Sequence, residues 1–285
     1  MKKYVALLLA LCLALSLVAC GGTPSTSSQD PASGSDVSGS DASGTPEAGG
    51  ADLAADPNEY LVGKTIGVQL GTTGDIYATD IEGAEVKQFS KYADAIMSLN
   101  QGKVDAVVID SEPAKAFLAQ NEGLAIMEQP LSEDAYAICV KKGNTELTDK
   151  LNGAIAELKE DGTLDAILDK YINETEGAAG YTTPEGTTYP NGKLVMATNA
   201  TYPPYEFLEG DTVVGIDAEF AKAICDKLGY ELEIKDMEFD AIMPAVNSGK
   251  ADFGAAGMTV TPDRLENVDF TDSFCTGVLV VMVKK

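Results

Sequence analysis

Two charged residues of opposite sign, Arg264 and Asp110, head the short set of side chains in this sequence that could do chemistry. Arg264 closes the run Ala256-Gly-Met-Thr-Val-Thr-Pro-Asp-Arg264, and its planar guanidinium can grip a carboxylate through two parallel hydrogen bonds, which lysine cannot. Asp110 ends the apolar run 104–109 and could hold a cation such as an ammonium group. Read alone, Arg264 fits equally well a surface ion pair with Asp263 or Glu266, and Asp110 a helix N-cap before Glu112 and Pro113. Tyr202 and Phe239, taken singly, read as core aromatics. Gly71-Thr-Thr-Gly74 has the glycines of a phosphate nest but neither the lysine nor the spacing of a P-loop, so a nucleotide is not expected. The chain has no histidine, which removes Ser-His and Cys-His catalysis and histidine-based metal sites. Cys139, Cys225 and Cys275 are an odd set without metal-ligand spacing, read as small core residues, with a Cys139–Cys275 bridge as the other option. Neither a metal nor a cofactor is expected.

The formal net charge of -25 becomes more negative once Lys2 and Lys3 leave with an export signal, which argues against nucleic acid as a partner. Lys2 and Lys3 precede an apolar stretch, residues 5–17, that is short for a bilayer span, and Leu17-Val-Ala-Cys20 follows. Residues 1–20 therefore read as a signal peptide, and its ending resembles the bacterial lipobox, in which the cysteine is lipidated. The expectation is a lipid on Cys20 that holds the protein at the extracytoplasmic face of the cell membrane, with no other contact to the bilayer.

Residues 21–56 are almost wholly Gly, Ser, Ala, Thr, Pro and Asp and read as a disordered tether. A second breaker-rich stretch, 173–192, separates two blocks, 57–172 and 193–285. Both alternate strand and helix. Strands are expected at 65–70, 104–109, 135–140, 194–197, 232–234, 251–255 and 278–283. Helices are expected near 90–101, 217–228 and 239–247, and two amphipathic ones flank Gly162. This predicts an α/β protein with mostly parallel sheets. Asp94-Ala-Ile-Met97 followed by Gly102-Lys-x-Asp105 is echoed by Asp240-Ala-Ile-Met243 followed by Gly249-Lys-x-Asp252. The echo suggests two similar lobes, each offering polar residues at the carboxyl end of a strand, where open α/β sheets bind ligands.

Residues 193–207, Lys-Leu-Val-Met-Ala-Thr-Asn-Ala-Thr-Tyr-Pro-Pro-Tyr-Glu-Phe, bring in a family resemblance. With Val214-Gly-Ile-Asp217, Asn247-Ser-Gly-Lys-Ala-Asp252, the run ending at Arg264 and Val268-Asp-Phe-Thr-Asp272, they resemble the first lobe of the polar-amino-acid solute-binding proteins that serve ABC importers. This is the bacterial extracellular solute-binding protein family 3, of type II periplasmic-binding fold. The second lobe is similar to Val62-Gly-Lys-Thr-Ile-Gly-Val-Gln-Leu-Gly-Thr-Thr-Gly74, Gly102-Lys-Val-Asp-Ala-Val-Val-Ile-Asp110, Tyr136-Ala-Ile-Cys-Val-Lys-Lys142 and Glu157-Leu-Lys-Glu-Asp-Gly162.

The resemblance implies a two-lobed, Venus-flytrap α/β fold with two crossover strands as hinge. The halves stand in exchanged order, as a circular permutation would leave them. The expected divisions are a second lobe at 57–134 completed by a strand at 277–285, a crossover strand and returning helices at 135–172, a permutation linker at 173–192 and a first lobe at 193–276. The resemblance assigns Arg264, Thr259, Gly257 and the amides near Thr72 and Thr73 to a ligand carboxylate, and Asp110 to its ammonium. It places Tyr202 and Phe239 around the ligand side chain, with Asn199 and Gln69 at its far end. It implies a non-enzymatic receptor, a monomer, that passes a free amino acid to an ABC permease. Asn199, where relatives for cationic ligands often carry an acid, tilts the expectation to a neutral or polar amino acid. The alternative is a cyclohexadienyl- or arogenate-dehydratase-like enzyme, for which the cleft lacks a visible general acid.

Overall fold

The computed structural model describes residues 50–285. The expected signal peptide, lipidated Cys20 and the tether up to residue 49 lie outside the described residues. Gly50–Asp56, expected within the tether, packs on the protein: the Leu53 carbonyl accepts from the Glu128 amide at 2.9 Å, and the Asp56 side chain caps the helix Pro57–Leu61. Among the described residues no helix is long and apolar enough to cross a membrane.

Apolar runs build two mixed sheets. In the six-stranded sheet Glu85–Phe89, Thr65–Gln69 and Ala106–Asp110 run parallel, and Cys275–Lys284 lies antiparallel beside Ala106–Asp110 and pairs with Leu124–Ile126 and Ser132–Tyr136. In the five-stranded sheet Glu231–Asp236, Lys193–Thr198 and Phe253–Gly254 are parallel, then Cys139–Lys141 and Val268–Phe270 join antiparallel. The inner parallel strands are apolar and covered on both faces, with Ala106–Asp110 buried at every position, whereas the edge strands Glu85–Phe89 and Glu231–Asp236 carry charged, exposed residues. In each sheet one strand runs antiparallel to all its neighbours, Cys275–Lys284 in one and Cys139–Lys141 in the other, and each arrives from the other lobe, which is why the sheets are mixed rather than mostly parallel. A small antiparallel sheet, Thr201–Tyr202, Glu206–Glu209 and Thr212–Val214, forms a third unit beside the cleft.

The expected strand at 135–140 is two strands. Ser132–Tyr136 belongs to the six-stranded sheet and Cys139–Lys141 to the five-stranded one, so the chain crosses between lobes at Ala137 and Ile138. It crosses back between Val268–Phe270 and Cys275–Lys284. The two crossings run side by side: the Thr271 amide donates to the Ile138 carbonyl at 3.0 Å, and the Phe274 amide to the Tyr136 carbonyl at 2.9 Å. Gly277 faces Tyr136 so closely that any side chain there would strike its ring.

The internal echo is structural. In each lobe the Gly-Lys-x-Asp turn returns an aspartate to the start of the neighbouring strand. Asp105 Oδ2 accepts from the Thr65 amide at 2.8 Å, and Asp252 Oδ2 from the Val195 amide at 2.7 Å. The 239–247 segment begins with a 3-10 turn, Phe239–Ala241, before the helix Ile242–Asn247. Residues 173–192 are bound to the helix Ile216–Leu228 by two of its acids. Glu219 accepts from Lys170, Tyr171 and the Tyr181 amide, and Asp226 from Lys222, Tyr181, Thr183 and Tyr189. Cys139, Cys225 and Cys275 are free thiols, so the Cys139–Cys275 bridge is absent.

Candidate functional site

The carboxyl ends of the parallel strands in both sheets face one closed cleft. Thr65–Gln69 delivers Gln69 and the loop Leu70–Thr72, Ala106–Asp110 delivers Asp110, and Lys193–Thr198 leads into Asn199. All ten residues expected at a ligand site line this cleft: Gln69, Thr72, Thr73, Asp110, Asn199, Tyr202, Phe239, Gly257, Thr259 and Arg264. Ala256 and Glu206 complete the lining.

Arg264 is buried, with 4 % of its surface exposed, and among the described residues it forms no ion pair. The surface pairing with Asp263 or Glu266 is therefore not what the residue does. The helix Pro262–Asn267, capped by Thr261, turns it inward. Nη1 donates to the Thr259 carbonyl at 2.7 Å, Nη2 to the Gly71 carbonyl of the other lobe at 3.0 Å, and the guanidinium lies 5.5 Å from the centroid of the Phe239 ring. Gly71 can present that carbonyl because it adopts φ +79, a conformation other residues avoid. Burial pulls the Arg264 pKa down, against the pull of Cys139, Asp134 and Asp110.

Asp110 precedes the helix Ser111–Leu118 but its side chain makes no capping hydrogen bond. Instead Oδ2 accepts from the Tyr202 hydroxyl across the cleft, and Oδ1 is buried with no partner among the described residues. Burial pushes the Asp110 carboxyl up to about 6, offset in part by the Tyr202 hydroxyl. Tyr202 is stacked between Tyr92 of the opposite lobe, at 5.5 Å, and Tyr205, at 5.9 Å. Gln69 Nε2 donates to Asn199 Oδ1 at 2.9 Å, a third bond between lobes. Thr72 caps the helix Thr73–Thr79, so the Thr73 amide belongs to the first turn, where helical amides have no partner of their own.

These contacts leave little room. The cavity is about 10 Å³, near the minimum for one water. The lobes are closed onto one another, with Tyr202 at Asp110 and a peptide carbonyl at Arg264. A ligand with an ammonium and a carboxylate would replace these two partners, which requires the lobes to part.

Three acids near the cleft were not anticipated. Asp134, on the crossover strand, has Oδ2 unpaired and is pushed up by burial, offset by Thr73 and Arg264. Glu206 and Asp217, each 1 % exposed, lie within hydrogen-bonding reach of one another. Glu206 brings to the cleft an acid that Asn199 does not supply. Its only signal is its place in Tyr-Pro-Pro-Tyr-Glu206-Phe, where it looks like an exposed strand residue.

This geometry, a cleft between two α/β lobes closed on a buried arginine and a buried aspartate, is that of a two-lobed solute receptor. The bacterial extracellular solute-binding proteins, family 3, match residues 52–174 and 194–285, and the chain belongs to that family. Its members are binding proteins rather than enzymes.

Among similar curated proteins, the arginine-binding extracellular protein ArtP of Bacillus subtilis (strain 168) is 45% identical over 93 residues, which is 33% of this chain and 36% of that protein. The L-cystine-binding protein TcyJ of Escherichia coli (strain K12) is 31% identical over 114 residues, 39% of this chain and 43% of that protein. The chain thus spans well under two thirds of the relatives it matches. A solved ancestral arginine-binding protein bound to arginine is 48% identical over 27% of this chain and 35% of that chain, with a TM-score of 0.27.

Proposed function

We propose that this protein is a membrane-anchored receptor that captures a free amino acid with a cationic side chain, arginine foremost, and delivers it to an ABC-type importer. The observation that carries the ligand reading is the charge of the cleft. Arg264 is the sole cation among its lining residues, whereas Asp110 and Glu206 line it and Asp134 and Asp217 stand behind them. A neutral amino acid would answer Arg264 and Asp110 but offer nothing to the buried Glu206 carboxyl, which can then be satisfied only by taking up a proton. A guanidinium at the far end of the ligand answers that need. The neutral or polar preference rested on Asn199 alone, and Glu206 supplies the acid which that position lacks. The name of the Bacillus relative points the same way.

In this reading Arg264, Thr259 and the Thr73 amide hold the α-carboxylate, Asp110 the α-ammonium, and Tyr202 and Phe239 the aliphatic stem. The ligand bonds to both lobes at once, so it favours closure by contacts that the open state lacks. A thermal-shift screen of free amino acids tests it. Arginine should give the largest stabilisation, and a largest shift from a neutral or acidic amino acid would contradict the ligand class.

Two wider features belong to the same proposal. A lipid on Cys20 anchors the chain, and Cys20→Ser should release it from membranes into the soluble fraction. The chain is a circular permutant that folds as a monomer. Its support is that the Ala51 amide lies 3.5 Å from the Lys284 carbonyl, which brings Gly50 and Lys285 together at the end of the strand Cys275–Lys284, while 173–192 follows the helix Ile216–Leu228 to the strand Lys193–Thr198.

A further inference from the structure

Glu206 opens the strand Glu206–Glu209, and Asp217 lies in the first turn of the helix Ile216–Leu228. The Asp217 amide donates to the Tyr205 carbonyl at 2.9 Å, which ties the start of the helix to the start of the strand, and the two carboxyl groups lie within hydrogen-bonding reach of one another. Asp217 Oδ2 accepts from the Gly257 amide at 2.7 Å. Asp217 Oδ1 and both oxygens of Glu206 have no partner among the described residues, and Glu206 lines the cleft. The titratable groups that act on the pair from the surrounding elements are Asp236, Tyr205 and Cys275, none of them a cation. Two adjacent acceptors with no donor can satisfy each other only through a proton, as buried carboxylate pairs do. Burial drives both groups the same way, Glu206 well above the usual carboxylate range and Asp217 to about 6.

We propose that Glu206 and Asp217 hold one proton between them in the absence of a cationic ligand, and that a ligand side-chain cation entering the cleft expels it. The carboxylic O–H bond breaks, the proton passes to solvent, and guanidinium N–H groups donate to the carboxylates in its place. This rests on the reading of the ligand as arginine-like. It turns the pair into a charge filter: a cation must displace a proton, whereas an uncharged group of the same shape finds a protonated pair and leaves it so. Arginine binding is then favoured as pH rises, because the proton to be expelled is held less firmly.

Citrulline has the shape of arginine with an uncharged ureido end, and it shares the α-ammonium and α-carboxylate. Any proton given up by Asp110 on ammonium binding is therefore common to both ligands. Calorimetric titration of the full chain with each, in buffers of different ionisation enthalpy at one pH, counts the protons released. Arginine should release about one proton more than citrulline, and its affinity relative to citrulline should rise by up to about tenfold per pH unit below neutrality. Glu206→Gln should abolish the difference in proton count; should that variant not fold, Asp217→Asn serves the same purpose. Equal proton counts for the two ligands in the unaltered protein would overturn the shared proton alone. Failure of arginine to bind while another amino acid does would overturn the ligand reading and the proton exchange with it.

Discussion

Arg264 carries five donors into a buried site and spends two of them on peptide carbonyls, Thr259 and Gly71. A carbonyl is a poor substitute for a carboxylate, and this mismatch is what makes the residue receptive. Arg264→Ala should lower amino-acid affinity by about thirtyfold or more, since truncating one partner of a buried charged pair costs about 2–5 kcal/mol. Arg264→Lys should recover little, because an ammonium cannot grip both carboxylate oxygens in one plane. An unchanged calorimetric affinity in Arg264→Ala would remove the residue from the site.

Asp110 makes a second prediction, about stability. Burial raises its carboxyl from the ordinary 3.8 to about 6, so the folded state holds the proton more firmly than the unfolded chain. That contribution is complete below about pH 4 and is lost as pH rises through about 6, an effect on the order of 2–3 kcal/mol. Asp110→Asn should therefore be more stable than the unaltered protein at pH 7.5 in urea unfolding, with the gap closing toward pH 4, while binding is lost. A gap that does not change with pH would show that Asp110 is not the buried charge described.

Among the elements, residues 173–192 are fixed rather than loosely attached. Asp226 gathers Lys222, Tyr181, Thr183 and Tyr189 on one carboxylate far in sequence from the cleft residues. Asp226→Ala strands three hydroxyls and an ammonium and should destabilise the fold by about 2 kcal/mol or more. Arginine affinity should stay within about twofold, and a large loss of affinity would mean that the segment shapes the cleft.

The longer helices were legible in the sequence because their apolar residues recur on one face, whereas the short ones, such as Thr73–Thr79 and Ser111–Leu118, give too few turns for a period. Leu151, Ile155 and Leu158 are buried, and Gly162 follows at φ +79. The break in the crossover was not legible, since Ala137 and Ile138 are as apolar as the strands they separate and both are buried. The small sheet at 201–214 escaped for the opposite reason: its strands are too short and too exposed to give a period. At the cleft, residues carried by ordered motifs could be named in advance. Asp217 stands in such a motif too, but its part near the cleft was not legible, because an acid in a helix's first turn reads as an ordinary favourable dipole contact until its burial is seen.

At the scale of the whole molecule, closure is held by bonds that a ligand would have to replace. Arg264 to Gly71, Gln69 to Asn199 and Tyr202 to Asp110 all join one lobe to the other. The adjacent crossings at Ala137–Ile138 and 271–274 allow the lobes to part without breaking either sheet. A permuted monomer places both lobes in one chain, so light scattering should give a monomeric mass with and without ligand. A stable dimer with exchanged halves would contradict it. The central claim, one amino-acid site formed between the two lobes of a single chain, is tested most directly by isothermal titration of the full chain with arginine. One arginine bound per monomeric chain is the predicted result; no saturable binding of arginine or of any other free amino acid would contradict it.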